Sequence, residues 1–171
     1  MTDLKAATII CVASFFKGND FIRECKRLGA AVVLLTREKL LDAGWARESL
    51  DDLIAIPGKT SVQSYLAAAT YVARQRRVLR VVALEEYDIV TAAHIREHLG
   101  VTGMGTTVAR CFQDKLAMRC KANQVGIAHV GLIVRSRDHG RVVNLLTEYA
   151  RRFSEDFTAV APAEETAEQH L

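Results

Sequence analysis

The amino-acid sequence predicts an α/β protein built on an open, mainly parallel sheet with flanking helices. Three observations lead there. Four short runs rich in β-branched and aliphatic residues show no polar alternation, as strands covered on both faces should not. Segments whose apolar residues recur every three or four positions stand between several of these runs. Glycine or Pro-Gly punctuates the junctions. Strands alternating with helical segments in this order favour a parallel sheet, because each strand must return by a crossover.

Thr8 to Ala13 (TIICVA) is the first strand. After the loop SFFKGND, Asp20 is placed to cap a helix reaching Leu28, with Phe21, Cys25 and Leu28 on its inner face, and Gly29 ends it. Ala31 to Leu35 is the second strand. Residues 37–50 read as a polar, helical connection. Leu53 to Ile56 is a short third strand, closed by Pro57-Gly58. Thr60 or Ser61 caps a helix to Arg77 with Val62, Tyr65, Leu66, Ala69 and Ala73 inward. Val78 to Leu84 is the fourth strand. A helix over 87–99, with Ile89, Ala92, Ala93 and Leu99 inward, stops at Gly100.

Beyond the turn VTGMGTT, Thr106 or Thr107 begins a helix to about Asn123 whose Val108, Phe112 and Leu116 are spaced by four. A strand at Val130–Val134, a helix from Asp138 and a short strand at Phe157–Pro162 complete the reading. That last helix carries an apolar stripe of Val142, Leu145, Leu146, Tyr149 and Phe153, which calls for self-association, a partner segment or folding back onto the sheet. The expected organisation is an α/β domain over 1–103, a linking helix and partial α+β segment over 104–160, and a disordered acidic tail over 161–171.

Composition narrows the function. Half of the 171 residues are hydrophobic and a quarter charged, ordinary globular usage. No apolar run approaches the roughly 18 residues of a membrane span. The N-terminus, with an acid beside its one lysine and no small-residue cleavage pattern, reads as a first strand, so a cytoplasmic, reducing setting is expected. The cysteines at 11, 25, 111 and 120 lack zinc-ligand spacing, and Cys11 reads as a core residue. Residues 154–171 carry five acids and no Lys or Arg, which leaves 23 basic against 15 acidic residues before them. That excess suits an anionic small ligand. The densest basic cluster, Arg74, Arg76, Arg77 and Arg80, lacks stacking aromatics and any nucleic-acid-binding signature, and reads as a solvated helix end.

In open α/β sheets ligands collect at the carboxyl ends of strands. Those ends are Ser14–Asp20, Thr36–Arg37, Pro57–Thr60 and Glu85–Asp88. Glu85, Glu86 and Asp88 at a strand end could bind a metal or an amine or act in acid/base chemistry, while Glu86 and Asp88 equally suit the positive N-terminus of the following helix. Glu85, immediately at the strand end, is the better functional candidate. Gly103-x-Gly105 lacks the third glycine of a dinucleotide loop, Val108 standing in its place, and reads as a tight turn. His94 and His98 are four apart on one helix without the HExxH pattern, and read as a solvated face. No GxSxG elbow is present, and no catalytic residue or metal ligand is assigned.

The stretch VVALEEYDIVTAAHIREHLGVTGMGTTVARCFQDKLAMRCKANQVGIA resembles the ATP-grasp carboxylate–amine ligases. It holds an acid at a strand end (Glu85), a helix ending in LG-x-x-G (Leu99-Gly100-Val101-Thr102-Gly103), a helix bearing DK (Asp114-Lys115) with Arg119 soon after, and a G-[IV] turn (Gly126-Ile127). The strand–helix units before it are similar to the Rossmann-like domain that precedes the ATP-grasp core. The resemblance covers roughly residues 8–130. It implies ATP and Mg²⁺ as cofactors, with Lys115 on the ATP phosphates and Glu85 and neighbouring loops on carboxylate or amine substrates. It also implies a second phosphate lysine, a glycine-rich loop and late Mg²⁺ ligands, none of which this sequence supplies, so the chain reads as truncated before the catalytic core. The alternative is a stand-alone ligand-binding or interaction module. Small molecules, a homodimer partner or a missing ATP-grasp segment are the expected partners.

Overall fold

The computed structural model describes residues 7–58 and 61–127. The expected elements at 130–134, 138–153 and 157–162, with the apolar stripe, and the acidic tail lie outside them. The chain divides into two compact units, Met1–Met118 and Arg119–Leu171.

The first unit holds one sheet of four parallel strands, β1 (Thr8–Ala13), β2 (Ala31–Arg37), β3 (Asp52–Ile56) and β4 (Val78–Ala83), in the order β3-β2-β1-β4. In register, Ile10 of β1 lies opposite Val33 of β2 and Val81 of β4. The central strand β1 is buried at every position. Alternate side chains of the sheet point to two separate cores. Ile10, Val12, Val33, Leu35 and Ile56 meet Tyr65, Ala69 and Val72 of α2 (Val62–Gln75) and Ala92 and Ile95 of α3 (Ile89–Leu99). Ile9, Cys11, Ala13, Val32 and Leu34 meet Ile22 and Cys25 of α1 (Asn19–Arg27), with Trp45 and Ala46. Each fully buried aliphatic side chain here stabilises by about 1.5–3 kcal/mol. That favours apolar residues at both alternations of β1, and explains why no polar periodicity was visible there. Cys11 is fully buried, and burial, with Cys25 adding to it, pushes its thiol far above the ordinary range.

Four expectations are corrected. α1 presents Ile22 and Cys25 to the core while Phe21 and Leu28 are exposed. Phe21 and Ile22 are adjacent, so period alone admits either stripe. Gly18, in the left-handed region at φ 96°, comes so close to Leu84 that a Cβ there would lie 2.8 Å from Leu84 Cδ1, and this approach sets where α1 leaves the sheet. The 37–50 connection is no helix. β2 continues to Arg37, and two 3-10 turns follow, Glu38–Leu40 and Arg47–Ser49. The segment is tied by side chains instead: Trp45 Nε1 donates to Leu40 O (2.8 Å), Ala46 N donates to Asn19 Oδ1 (3.0 Å), and Asn19 Nδ2 donates to Gly44 O (2.8 Å). On α2 the buried residue near the end is Val72, not Ala73. On α3 Ile95 and Arg96 are buried besides the expected alanines.

The expected single helix over 106–123 is two, α4 (Thr106–Gln113) and α5 (Lys115–Gln124). Asp114 between them is extended, and its Oδ1 accepts from Leu116 N (2.9 Å) and Ala117 N (3.1 Å). A carboxylate that caps the next helix ends the one before it. Val108 and Phe112 of α4 are exposed. Gly100 ends α3 in the left-handed region at φ 64°, where its own N–H and that of Val101 reach back to Glu97 O and Arg96 O. This paired closure is the C-terminal motif that glycine favours.

Candidate functional site at the carboxyl edge of the sheet

Strand order reverses at β1. From it the chain goes to β2 on one side, and β4 returns on the other. The loops beyond the carboxyl ends of β1 and β4 therefore flank the crevice where such sheets bind ligands. Three of the four strand ends singled out in the sequence contribute side chains here, from Ser14–Gly18, Thr36–Arg37 and Glu85–Asp88.

Polar bonds lock the floor of this crevice. Thr36 Oγ1 donates to Ala13 O (2.8 Å) and Ser14 N donates to Asp88 Oδ2 (2.7 Å), both buried. Asp88 is only 3% exposed. It stands at the start of α3, yet its carboxylate makes no bond to the helix's own first turn. Its task is to hold the β1 loop rather than to cap, as the sequence had suggested. Burial pushes its carboxyl above the ordinary aspartate range, against the Ser14 bonds and the Arg37 charge, with Glu85 adding to the rise.

Glu85 stands at the rim. Its Oε2 pairs with Lys17 Nζ at 2.9 Å, and Glu86 N donates to its Oε1 at 3.1 Å. The Lys17 hydrogen bond, foremost, holds Glu85 below the ordinary glutamate range. The same bond raises Lys17. Glu85 is thus an anion at neutral pH, with its ammonium partner on the opposite loop. Glu86 is exposed, in the 3-10 turn Glu86–Asp88.

An aromatic wall stands beside this pair. The rings of Phe15 and Tyr87 lie 5.4 Å apart, both exposed, and the Arg37 guanidinium carbon lies 6.0 Å from the Phe15 ring centre. Arg37 Nε is buried without a hydrogen-bond partner among the described residues. Burial raises the Tyr65 phenol beneath, and Asp88 adds to the rise while Arg37 opposes it. Sequence reading marked these loops without pairing their residues. Lys17 with Glu85, Ser14 with Asp88 and Arg37 with Phe15 are contacts between distant segments that no local spacing encodes.

The Gly103-x-Gly105 turn is packed, not open. A Cβ at Gly103 would meet Arg96 Cδ at 2.7 Å, and one at Gly105 would meet Glu97 Oε1 at 2.7 Å. Glu97 Oε1 accepts from Thr106 N (2.7 Å), so a protein carboxylate fills the N-terminus of α4 where a phosphate would otherwise sit. Lys115 is the first residue of α5, not a mid-helix residue, and its side chain is exposed. Two residues before it, Gln113 Nε2 donates to Glu86 O at 2.8 Å. Glu85, Glu86 and Asp88 do not converge. Among the described residues no group of three or more His, Cys, Asp or Glu is placed to hold a metal ion. His98 Nε2 lies 2.7 Å from Thr70 Oγ1. No described helix is long and apolar enough to cross a membrane.

No protein-family model matches the chain, and no curated protein matches it. Solved structures do share its fold. An L-amino acid ligase from Bacillus licheniformis superposes with a TM-score of 0.54 at 12% identity over 85% of this chain and 43% of its own. The biotin carboxylase domain of a thermophilic 2-oxoglutarate carboxylase, bound to bicarbonate, gives 0.51 at 18% over 89% and 34%. A glycosyl transferase of family 9 from Veillonella parvula gives 0.50 at 13% over 89% and 42%. The ligase and the biotin carboxylase are ATP-grasp enzymes, so the likeness expected from the sequence is found at the level of the fold. The chain spans less than half the length of each of the three.

Proposed function

We propose that the chain forms the N-terminal, substrate-side portion of an ATP-dependent carboxylate–amine ligase. The observation that carries this reading is the continuity from the β4 carboxyl edge to Lys115. Glu85 stands at the strand end, and the Gln113–Glu86 bond holds the α4–α5 junction beside the same turn. The order of these parts is the one that the sequence resemblance required. The glycosyl transferase, which shares the sheet, is why the fold by itself does not carry the reading.

In this reading Lys115 serves the ATP phosphates. An exposed ammonium at the start of α5 suits a point-charge contact. Asp114 already takes the Leu116 and Ala117 N–H groups, so a phosphate would meet the lysine rather than those amides. Glu85 receives the ammonium end of an amine substrate, with Lys17 as the group it releases, and Glu86 supplements the negative rim. Mg²⁺ belongs to the reading through the family alone. The described residues offer no ligand set for it.

Titration of the chain with ATP, alongside Lys115→Ala and Glu85→Gln, tests the proposal. Loss of one charge-assisted contact is worth about 1.5–3 kcal/mol, so Lys115→Ala should weaken ATP binding by about tenfold or more. Glu85→Gln should leave ATP binding intact and weaken an amino-acid amine instead. No binding at millimolar ATP, or equal binding by Lys115→Ala, would overturn the ATP role.

A further inference from the structure

A second concave feature lies at the opposite, amino edge of the sheet. A cavity of about 530 Å³ opens between the first residues of β1 and β2, the turn after α1 and the end of α2. That volume falls within the roughly 300–1,000 Å³ of small-molecule sites. Its polar lining is Thr8, Lys26, Asp51, Gln75, Arg76 and Arg77. Two of the arginines that the sequence shows as one basic cluster are therefore turned to a pocket. Arg80, by contrast, donates to the neighbouring Leu79 O.

The charges are not balanced. Lys26 Nζ meets both Asp51 oxygens at 2.8 Å, and Asp51 Oδ2 also accepts from Val32 N at 2.8 Å. Asp51 is thus consumed by Lys26 and the β2 backbone. Burial alone would raise its carboxyl. The Lys26 ammonium, the Val32 N–H and the Arg76 charge outweigh that and hold it below the ordinary range. Arg76 and Arg77 remain as two positive charges whose guanidinium groups make no hydrogen bond or close ion pair among the described residues. Backbone bonds fix the rim, with Thr8 N donating to Arg77 O (2.9 Å) and Ala31 N to Ala7 O (3.0 Å). The cavity is therefore bordered by hydrogen-bonded strand ends and lined by two arginines that spend no hydrogen bond among the described residues.

We propose that this amino-edge cavity is a binding site for a small phosphate monoester, with Arg76 and Arg77 on the phosphate and Gln75 and the rim of the α1–β2 turn on its hydroxylated body. A guanidinium fork takes phosphate oxygens in a bidentate fashion that a lysine ammonium does not reproduce. The limited volume, about 530 Å³, favours a discrete small molecule over a polyanion, which would need a stripe of charge and stacking aromatics. The site is separate from the carboxyl-edge crevice and does not depend on the ligase reading.

Calorimetric titration of the whole chain with ribose 5-phosphate, inorganic phosphate and ribose tests it, with amide chemical shifts followed in parallel. Ribose 5-phosphate should bind at least tenfold more tightly than ribose, with its largest shifts at the 29–31 amides. Arg76→Gln with Arg77→Gln should weaken it at least tenfold, and Lys115→Ala should leave it unchanged. Inorganic phosphate binding as tightly as the ester would remove the role of the sugar body and overturn the ester assignment. Absence of shifts at 29–31 in the unaltered chain, or full binding by the double variant, would overturn the site itself. Tighter binding of a single-stranded oligonucleotide, with shifts spread to Arg74 and Arg80, would assign the cluster to nucleic acid instead.

Discussion

The Gln113 side-chain amide donates a 2.8 Å hydrogen bond to the main-chain carbonyl of Glu86, joining the last residue of α4 to the turn beyond β4. The two residues are 27 apart in sequence. This bond, with the Thr106–Glu97 bonds at the other end of α4, places the Asp114–Lys115 junction beside the carboxyl edge of the sheet. An exposed neutral hydrogen bond contributes about 0.5–1.5 kcal/mol. Gln113→Ala should therefore lower stability by no more than that. It should also speed amide exchange over Thr106–Gln113 without affecting β1. Unchanged exchange in α4 would mean that the bond holds nothing.

Asp88 gives a pH signature. A carboxyl raised on folding binds its proton more tightly in the folded chain. Its contribution to stability is thus greatest below the ordinary aspartate value of about 3.9, and falls as pH climbs through the raised value. Asp88→Asn keeps an oxygen for Ser14 N and cannot titrate, so the variant should lack this fall. Asp88→Ala removes the acceptor and strands a buried N–H, costing about 1–3 kcal/mol at any pH. Urea unfolding at pH 3.5, 5 and 7 distinguishes the two. A wild-type curve parallel to that of Asp88→Asn would show that Asp88 does not titrate in this way.

The strands were legible because burial on both faces leaves a signature in a single strand. β1 is found at Thr8–Ala13, as its β-branched run required. The glycine stops were legible for a similar reason, since the left-handed end at Gly100 is a local demand. Phase and pairing were not. Whether Phe21 or Ile22 faces the sheet depends on how Gly18 meets Leu84, and the break at Asp114 depends on where one carboxylate turns. The candidate crevice was legible as a set of strand ends, Glu85 among them. Its partners were not, because Lys17, Ser14 and Arg37 reach it from segments distant in sequence, Ser14 being 74 residues from Asp88.

Arg96 explains the second glycine of the LG-x-x-G turn. Its Nε donates to Met104 O (2.8 Å) and its Nη1 to Val81 O (2.7 Å), so a buried cation ties the turn to β4. Arg96→Met keeps the apolar stem and loses both bonds, each worth about 1.5–3 kcal/mol to a charged donor. Gly103→Ala would press a methyl onto Arg96 Cδ at 2.7 Å. Each single change should destabilise the chain markedly. Gly103→Ala should cost less in an Arg96→Ala chain than alone, because alanine lacks the Cδ that the new methyl would meet. Strict additivity in chemical unfolding would place Gly103 and Arg96 in separate roles.

Gly18 and Leu84 make the same kind of pair at the mouth of the crevice. Gly18 sits at φ 96°, and a Cβ there would lie 2.8 Å from Leu84 Cδ1 and 3.0 Å from Leu84 Cβ. The backbone conformation alone costs an L-residue about 1–2 kcal/mol. The contact adds to that, since Leu84 Cβ has no freedom to retreat. Gly18→Ala should therefore destabilise by at least about 1–2 kcal/mol. It should also displace Lys17, its immediate neighbour, from Glu85, raising Glu85 toward the ordinary glutamate value. Leu84→Ala in the same chain should recover the part of the clash made by Leu84 Cγ and Cδ1, and leave the Cβ contact and the conformational part. A double-mutant cycle with carboxyl titration by NMR reads both. A Gly18→Ala chain as stable as the parent, with Glu85 still depressed, would show that the β1 loop does not depend on this approach.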